Sequence, residues 1–412
     1  MSLLLFLLLS DPRIATDAAY PDVDPLRRLG ELTHVDHVNR TLVLRPDRLG
    51  TEPKDRWDLP HAIRLLPYAL VRQHGATATL SDLPLGTHLH AELFLGERGE
   101  YALPKYRFPQ KPRVGFHSPF DQAARLSDDI SVDLARRVRW RVESVAQPPI
   151  ESGGRGSIGI IEATCIRDGH PVEEARQGST AFVGRHRFSF DESTVVWTGS
   201  TAQSWRVLRK GQEILANLTR STLLASDGDA NVKSTAMLTT VLADEPAIEA
   251  ATERQRLRHI ARMRIDGVPC RVLSTEMIPG KGAAGFVDLA PYPGLDEQLI
   301  SEIEEAGSAR LWGAERSLRT YENDAKNLRI VRFERVDPAT NPAHLASVRV
   351  RLRGNELLEG YRQGRTVLLS VSEWSTPERP RETRLWPRDV REIHVTPATL
   401  PGRSATSADV EP

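Results

Sequence analysis

Three segments of the chain repeat one short pattern, and this repetition constrains the fold more than any other feature. The segments are SDLPLGTHLHAEL at 81–93, WRVLRKGQEILANL at 205–218 and LLEGYRQGRTVLLSV at 357–371. In each, an apolar or aromatic residue and a short polar turn precede a glycine (Gly86, Gly211 or Gly364), and an alternating stretch follows. Glycine suits a turn position with positive φ, and alternation is typical of a half-buried strand. The repetition therefore predicts three copies of one small strand-based unit.

Most of the remaining chain also has strand-like periodicity. Stretches rich in β-branched and aromatic residues lie at 30–44, 157–166 and 180–190. Helical signals are fewer. One spans 245–264, with acidic residues early, arginines late and Gly267 just beyond it, and a second spans 295–306. These patterns predict a mainly β protein with a few helices and about three small antiparallel β-barrels of the OB or SH3 type.

The same patterns divide the chain into six segments. We predict a leader and linker at 1–24, a first β-barrel at 25–118, a short helix with a second β-barrel at 119–228, a linker and helix at 229–263, a third β-barrel with an inserted helix at 264–374, and an extended, partly disordered tail at 375–412. The length agrees with this division, because 412 residues exceed what one ordinary core accommodates.

Charge and cysteine content limit the classes of function. The chain has 55 basic and 55 acidic side chains, so its formal net charge is zero. A domain dedicated to nucleic-acid binding is normally strongly basic, and the balance argues against such a partner. The two cysteines, Cys165 and Cys270, match no metal or redox motif; they can form one disulfide or remain two buried thiols.

The N-terminus, MSLLLFLLLS, contains an unbroken apolar run from Leu3 to Leu9. This run is too short to cross a bilayer as a helix, but it resembles the apolar region of a secretory signal without the usual basic residues before it. We therefore expect export to the periplasm or the cell surface, with a cytoplasmic protein as the alternative. We expect no transmembrane segment, because no other stretch is apolar enough to span a membrane.

Histidines are concentrated in the first predicted barrel, where they suggest a metal site. His88 and His90 are two residues apart on a predicted strand, so both side chains lie on one face and can bind one ion. His34 or His61 would supply a third ligand. We favour the simpler interpretation, in which the two histidines only form the solvent face of a strand. We therefore expect no cofactor and no stoichiometric zinc, copper or iron in the purified protein, and the metal site is the alternative.

Arginines alternate with apolar residues in two further strands. The first ladder contains Arg137, Arg139 and Arg141, and the second contains Arg349, Arg351 and Arg353. A strand with this pattern has one apolar face and one cationic face. The cationic faces either bind a polyanion or form ordinary solvated sheet surfaces, on which acidic residues of neighbouring strands pair with the arginines. The abundance of acidic residues favours the solvated surfaces.

Several phrases of the sequence resemble uncharacterised exported proteins of planctomycete bacteria. The phrases are LPHAIRLLPYALV at 59–71, SDLPLGTHLHAEL at 81–93, ARLSDDIS at 124–131, STVVWTG at 193–199, SLRTYEN at 317–323 and LLEGYRQGR at 357–365. This resemblance implies β-barrel repeats and export, and it implies no activity.

Together these observations predict an exported, non-enzymatic protein that binds an unknown protein or component of the cell envelope, or that has a structural role there. The alternatives are a hydrolase or other metal-dependent enzyme that uses the histidines of the first barrel, and a polyanion-binding module that uses the arginine ladders.

Overall fold

A computed structural model provides the structure of the protein. It describes residues 25–37, 40–47, 60–94, 99–102, 114–117, 121–146, 159–172, 184–220, 236–278, 284–292, 294–313, 325–336, 346–352 and 361–374. The leader and the tail predicted from the sequence lie outside these residues. None of the described helices combines the length and the apolar character needed to span a membrane.

The first barrel contains five strands whose pairings form a ring. Its elements are β1 (Leu26–Asp36), β2 (Thr41–Pro46), β3 (His61–Gln73), β4 (Ala76–Ala78), β5 (His88–Phe94), a hairpin of β6 (Gly99–Ala102) and β7 (Val114–His117), and β8 (Gln122–Asp128). The ring runs β1–β2–β3–β8–β5 and returns to β1, and β4 extends it beside β3. The pairing of β3 with β8 is parallel, and the others in the ring are antiparallel.

The second barrel repeats this topology after helix α1 (Asp129–Arg136). Its strands are β9 (Val138–Ala146), β10 (Gly159–Arg167), β11 (His170–Pro171), β12 (Arg185–Phe190), β13 (Val195–Thr198), β14 (Thr201–Gln203), β15 (Glu213–Arg220) and β16 (Ala236–Leu242). The pairings run β9–β10–β12–β16–β15 and return to β9, and β12 again pairs with β16 in parallel.

The third barrel follows helix α2 (Glu245–Asp266). Its elements are β17 (Val268–Met277), β18 (Gly285–Pro291), α3 (Glu297–Glu305), β19 (Ser308–Gly313), β20 (Ala325–Arg335), β21 (Ala346–Leu352) and β22 (Thr366–Val371). The strands close in the order β17–β18–β21–β20–β19–β22, with every pairing antiparallel.

The predicted fold class is confirmed, but two strands lie outside the ranges predicted for their barrels. β8, at Gln122–Asp128, completes the first ring beyond residue 118, and β16, at Ala236–Leu242, completes the second beyond residue 228. Both strands make the parallel pairing of their ring. Periodicity identifies a strand but not the strand with which it pairs. The sequence-based boundaries therefore placed β8 with α1 and β16 with α2, in the segments that follow their barrels.

The three glycines of the repeat occupy equivalent positions in the three barrels. Gly86, Gly211 and Gly364 have φ values of +89°, +83° and +82°. Their N–H groups donate to the carbonyls of Leu32, Val142 and Val272, at 2.8, 2.7 and 2.8 Å. Each of these three residues is fully buried and donates its own N–H to the carbonyl of the residue after the glycine. The glycine turn thus joins the first strand of each barrel to the strand that follows the turn.

We expect Gly211→Ala to lower the free energy of unfolding by about 1–2 kcal/mol, because an L-residue is strained at this φ. No atom lies within 4 Å of a Cβ added at Gly211, so the backbone conformation is the sole local cost. Gly307→Ala is the matched control, since its added Cβ also meets no atom and its φ is ordinary. Urea denaturation measures both, and equal stabilities for the two variants would contradict the strain argument.

Aspartate residues cap the N-termini of both helices that connect the barrels. Asp128 accepts a hydrogen bond from Ser131 N at the start of α1, and Asp244 accepts one from Ala247 N at the start of α2. Each carboxylate also holds a hairpin turn of the barrel that it leaves: His74 N donates to Asp128, and Gly199 N donates to Asp244, both at 3.0 Å. Each cap therefore fixes the direction of its helix relative to the preceding barrel.

Helix α2 contacts elements of all three barrels. Its first part contacts β13 and β16 of the second barrel. Further along, Thr252 Oγ1 donates to the carbonyl of His74 at 2.7 Å, and Gln255 Nε2 donates to that of Thr77 at 3.2 Å, both in the first barrel. Ile260 and Met263 are buried in the core of the third barrel. The three barrels consequently belong to one compact unit that ends at Trp374.

Candidate metal centre between the first two barrels

Two histidines and one aspartate converge where the first barrel meets the second. His88 and His90 project from the same face of β5, as their spacing predicts, and Asp129 is the first residue of α1. His88 Nδ1 lies 2.7 Å and His90 Nε2 lies 2.9 Å from Asp129 Oδ1. One possible ligand atom from each of the three residues lies within 4.8 Å of the others. Three side chains at this spacing can contact one and the same metal ion.

Further contacts orient the three side chains. His88 Nε2 lies 3.0 Å from Asp47 Oδ2, in the residue that directly follows β2. Leu218 N, on β15 of the second barrel, donates to Asp129 Oδ2 at 2.9 Å. One oxygen of Asp129 is thereby bound to the second barrel, and the other faces the two histidines of the first.

A second set of buried hydrogen bonds supports the junction. Asn217 Nδ2 donates to Asp128 Oδ2 at 2.9 Å, and Ile130 N donates to Asn217 Oδ1 at 3.1 Å. Asp128 has no exposed surface, and Asn217 is buried on β15. The start of α1 and β15 therefore meet through paired polar groups, which is what buried polar atoms require.

The cluster changes the proton affinity of its members. Burial alone would lower the pKa of His88, but the carboxylates of Asp129 and Asp47 outweigh this effect and raise it far above its ordinary value. Burial alone would raise the pKa of Asp129, but His88 and His90 outweigh it and lower the pKa below its ordinary range. The two carboxylates therefore favour the protonated form of His88.

A small cavity lies beside the cluster and contains another acid. His90, Asp129, Asp133 and Arg136 line it together with Trp140 and apolar side chains. Trp140 Nε1 donates to Asp133 Oδ2 at 3.0 Å. Loss of solvent contact and the nearby Asp129 carboxylate raise the pKa of Asp133 to about 8.

The structure does not bring the two predicted third ligands to this cluster. His34 is exposed on β1, and His61 pairs with Asp121 at the other end of the β3–β8 pairing. Asp129 contacts the two histidines instead, and an argument from histidine spacing alone misses it. The available signal was the position of the Asp128–Asp129 pair between a strand and a helix, where one acid caps the helix and the other turns inward.

The apolar residues of the two arginine ladders are buried as predicted, in the cores of the second and third barrels. One arginine departs from its prediction: Arg137 lies outside the strand and ends α1 in the left-handed conformation, with φ of 56°. It cannot share the alternating face, because β9 starts at the next residue.

Three ladder arginines pair with acidic residues. Arg139 Nη2 lies 2.8 Å from Glu245 Oε2, Arg141 Nε lies 3.3 Å from Glu143 Oε1, and Arg349 contacts both Glu276 and Asp288. Arg351 is exposed on β21, and Arg353 lies outside the described residues. These ion pairs agree with solvated sheet faces, and binding of a polyanion stays a prediction.

The two cysteines lie in different barrels. Cys165 is on β10 and Cys270 is on β17, and both are buried and unpaired. Burial raises the pKa of the Cys165 thiol to about 11. Both side chains pack in apolar cores, which accounts for them without a redox role.

Comparison of the chain with protein-family models, with curated proteins and with solved structures gave no significant match.

Proposed function

We propose that the protein binds one divalent transition-metal ion, with zinc as the expected ion, through His88, His90 and Asp129. The observation that carries the proposal is the convergence of two imidazoles and one carboxylate within 4.8 Å. Imidazole nitrogen and carboxylate oxygen are common zinc ligands, and sites with three such ligands are well known.

The outer contacts support the same proposal. His88 would bind the ion through Nδ1 and donate its Nε2–H to Asp47, which lies 3.0 Å from that nitrogen. Asp129 would bind through Oδ1, while its Oδ2 accepts from Leu218 N. A carboxylate behind a ligating histidine and a hydrogen bond to a ligating carboxylate are typical of metal centres, because they orient the ligands.

The ion would connect parts of the fold that are distant in sequence. His88 and His90 belong to the first barrel, and Asp129 begins α1 and contacts β15 of the second barrel. An ion at this place would therefore stabilise the contact between the two barrels. We therefore propose that the chain is a binding protein and not an enzyme. We also propose that it is exported, and this second proposal rests on the N-terminal apolar run alone.

The test compares metal binding by the parent protein with that of two histidine variants. We expect one zinc per chain after purification without chelators, measured by mass spectrometry of the metal. His90→Ala should weaken zinc binding at least about 100-fold, since it removes a ligand from a site of only three. His34→Ala is the matched control, because His34 is an exposed histidine of the same barrel outside the cluster.

Absence of zinc in the purified protein, together with no binding at micromolar zinc, would overturn the proposal. The cluster would then be a hydrogen-bonded junction with a buried histidine cation. Equal zinc affinities for His90→Ala and the parent would place the ion elsewhere.

A further inference from the structure

The cavity beside the cluster has the size and the lining of a ligand position. His90, Asp129, Asp133 and Arg136 are the polar residues that line it, together with Trp140. Its volume of about 20 Å³ is enough for at least one water molecule. An ion with three protein ligands in tetrahedral geometry has one vacant position, and this cavity is the space beside the ligands that can hold its occupant.

Asp133 is placed to contact that occupant. It lies one helical turn after Asp129 on α1, so the two carboxylates share a face of the helix. The hydrogen bond from Trp140 uses Asp133 Oδ2 and holds the carboxylate at the cavity. Among the described residues no donor contacts Oδ1, which leaves this oxygen for a water in the cavity.

Arg136 gives the same cavity a positive group, and Phe188 and Leu218 give it apolar walls. A small anion in this space would lie near a cation, and opposite charges attract each other. Asp133 favours a water instead, because an oxygen of its carboxyl group accepts a hydrogen bond from water. The lining therefore contains one group that favours each kind of occupant.

We propose that this cavity is an exchangeable fourth coordination position of the metal centre, which accepts either a water molecule or a small monovalent anion. The inference rests on the proposed function. Asp133 favours the water by accepting its hydrogen bond, and Arg136 favours the anion by its charge. Such a centre belongs to the open class of metal sites, in contrast to sites closed by four protein ligands.

Cobalt(II) and azide provide the test. Co²⁺ takes ligands similar to those of zinc, and its visible absorption reports a change of ligand. We expect azide to change the visible spectrum of the Co²⁺-loaded full chain, and the change should saturate as the azide concentration rises. Asp133→Asn should change azide binding less than about twofold, because a carboxyl group with a pKa of about 8 carries little charge at neutral pH. Arg136→Gln should weaken azide binding about tenfold.

Arg137→Gln is the matched control, because Arg137 is the next residue along the chain and does not line the cavity. Its azide affinity should equal that of the parent. Bound Co²⁺ with a spectrum that azide does not change would overturn this inference and leave the proposed function intact. Equal azide affinities for Arg136→Gln and Arg137→Gln would also overturn it. Failure of Co²⁺ and zinc to bind at all would overturn both proposals.

Discussion

Asp129→Asn should lower the free energy of unfolding by about 3 kcal/mol and weaken zinc binding at least about 100-fold. The substitution keeps the shape of the side chain but removes the charge that balances His88. Removal of one partner of a buried ion pair typically costs about 3–5 kcal/mol, because the other charge is left without compensation. Loss of a carboxylate ligand from a three-ligand site accounts for the zinc effect.

The pH dependence of this variant follows from the direction of the pKa change. The pKa of Asp129 is lowered in the folded protein, so its contribution to stability is present above the ordinary aspartate pKa and is lost as pH falls below it. The parent should therefore lose stability between about pH 4 and pH 2 more steeply than Asp129→Asn. Urea denaturation of the metal-free proteins across this range measures the difference.

Glu245→Gln is the matched control for Asp129→Asn. Glu245 is the first residue of α2, as Asp129 is of α1, but it is exposed and pairs with Arg139 at the surface. Its loss should cost less than about 1 kcal/mol, as for other exposed ion pairs, and should not affect zinc binding. Similar losses of stability in both variants would show that the charge of Asp129 has no special role.

Asp133→Asn should have the opposite effect and raise the free energy of unfolding of the metal-free protein by about 2 kcal/mol at neutral pH. The pKa of Asp133 is raised to about 8 in the fold, by loss of solvent contact and by Asp129. Each pH unit between the unfolded and folded pKa corresponds to about 1.4 kcal/mol, and partial exposure of the side chain reduces the sum by roughly half. An asparagine carbonyl can still accept the hydrogen bond from Trp140.

The gain should depend on pH in a defined direction. A raised carboxyl pKa leaves stability unaffected below the ordinary aspartate value, and the cost to the parent grows as pH rises towards about 8. The two proteins should therefore be equally stable near pH 3–4, and the difference should reach its maximum above about pH 8. Asp168→Asn is the control, because Asp168 is an exposed acid in the turn between β10 and β11. A pH-independent difference between Asp133→Asn and the parent would contradict the electrostatic explanation.

The local parts of the fold were predictable, and the pairings were not. Both long helical signals match helices, at Glu245–Asp266 and Glu297–Glu305, because caps and charge order are local properties of the sequence. The glycine repeat predicted three related turns for the same reason. The parallel closing pairs of β3 with β8 and of β12 with β16 depend on contacts between distant segments, which alternation does not encode.

The same distinction between local and long-range properties applies to the candidate site. The spacing of His88 and His90 placed both on one strand face, and the structure has them there. His34 and His61 were proposed as the third ligand because they belong to the same barrel. Two residues of one barrel can still lie far apart, so this argument does not fix their distance from His88 and His90. Asp129 reaches the histidines through the direction of α1, which depends on the cap at Asp128 and on the contact of Asp128 with Asn217.

The three proposed ligands precede β15, their partner strand in the second barrel, along the sequence. The histidines leave the ribosome first, Asp129 follows His88 by 41 residues, and Leu218 follows Asp129 by another 89. A nascent chain thus presents all three proposed ligands while most of the second barrel is still being made. If the ion binds at that stage, it fixes Asp129 with one oxygen free for β15. The filled site would then act as a template on which the second barrel docks as it folds.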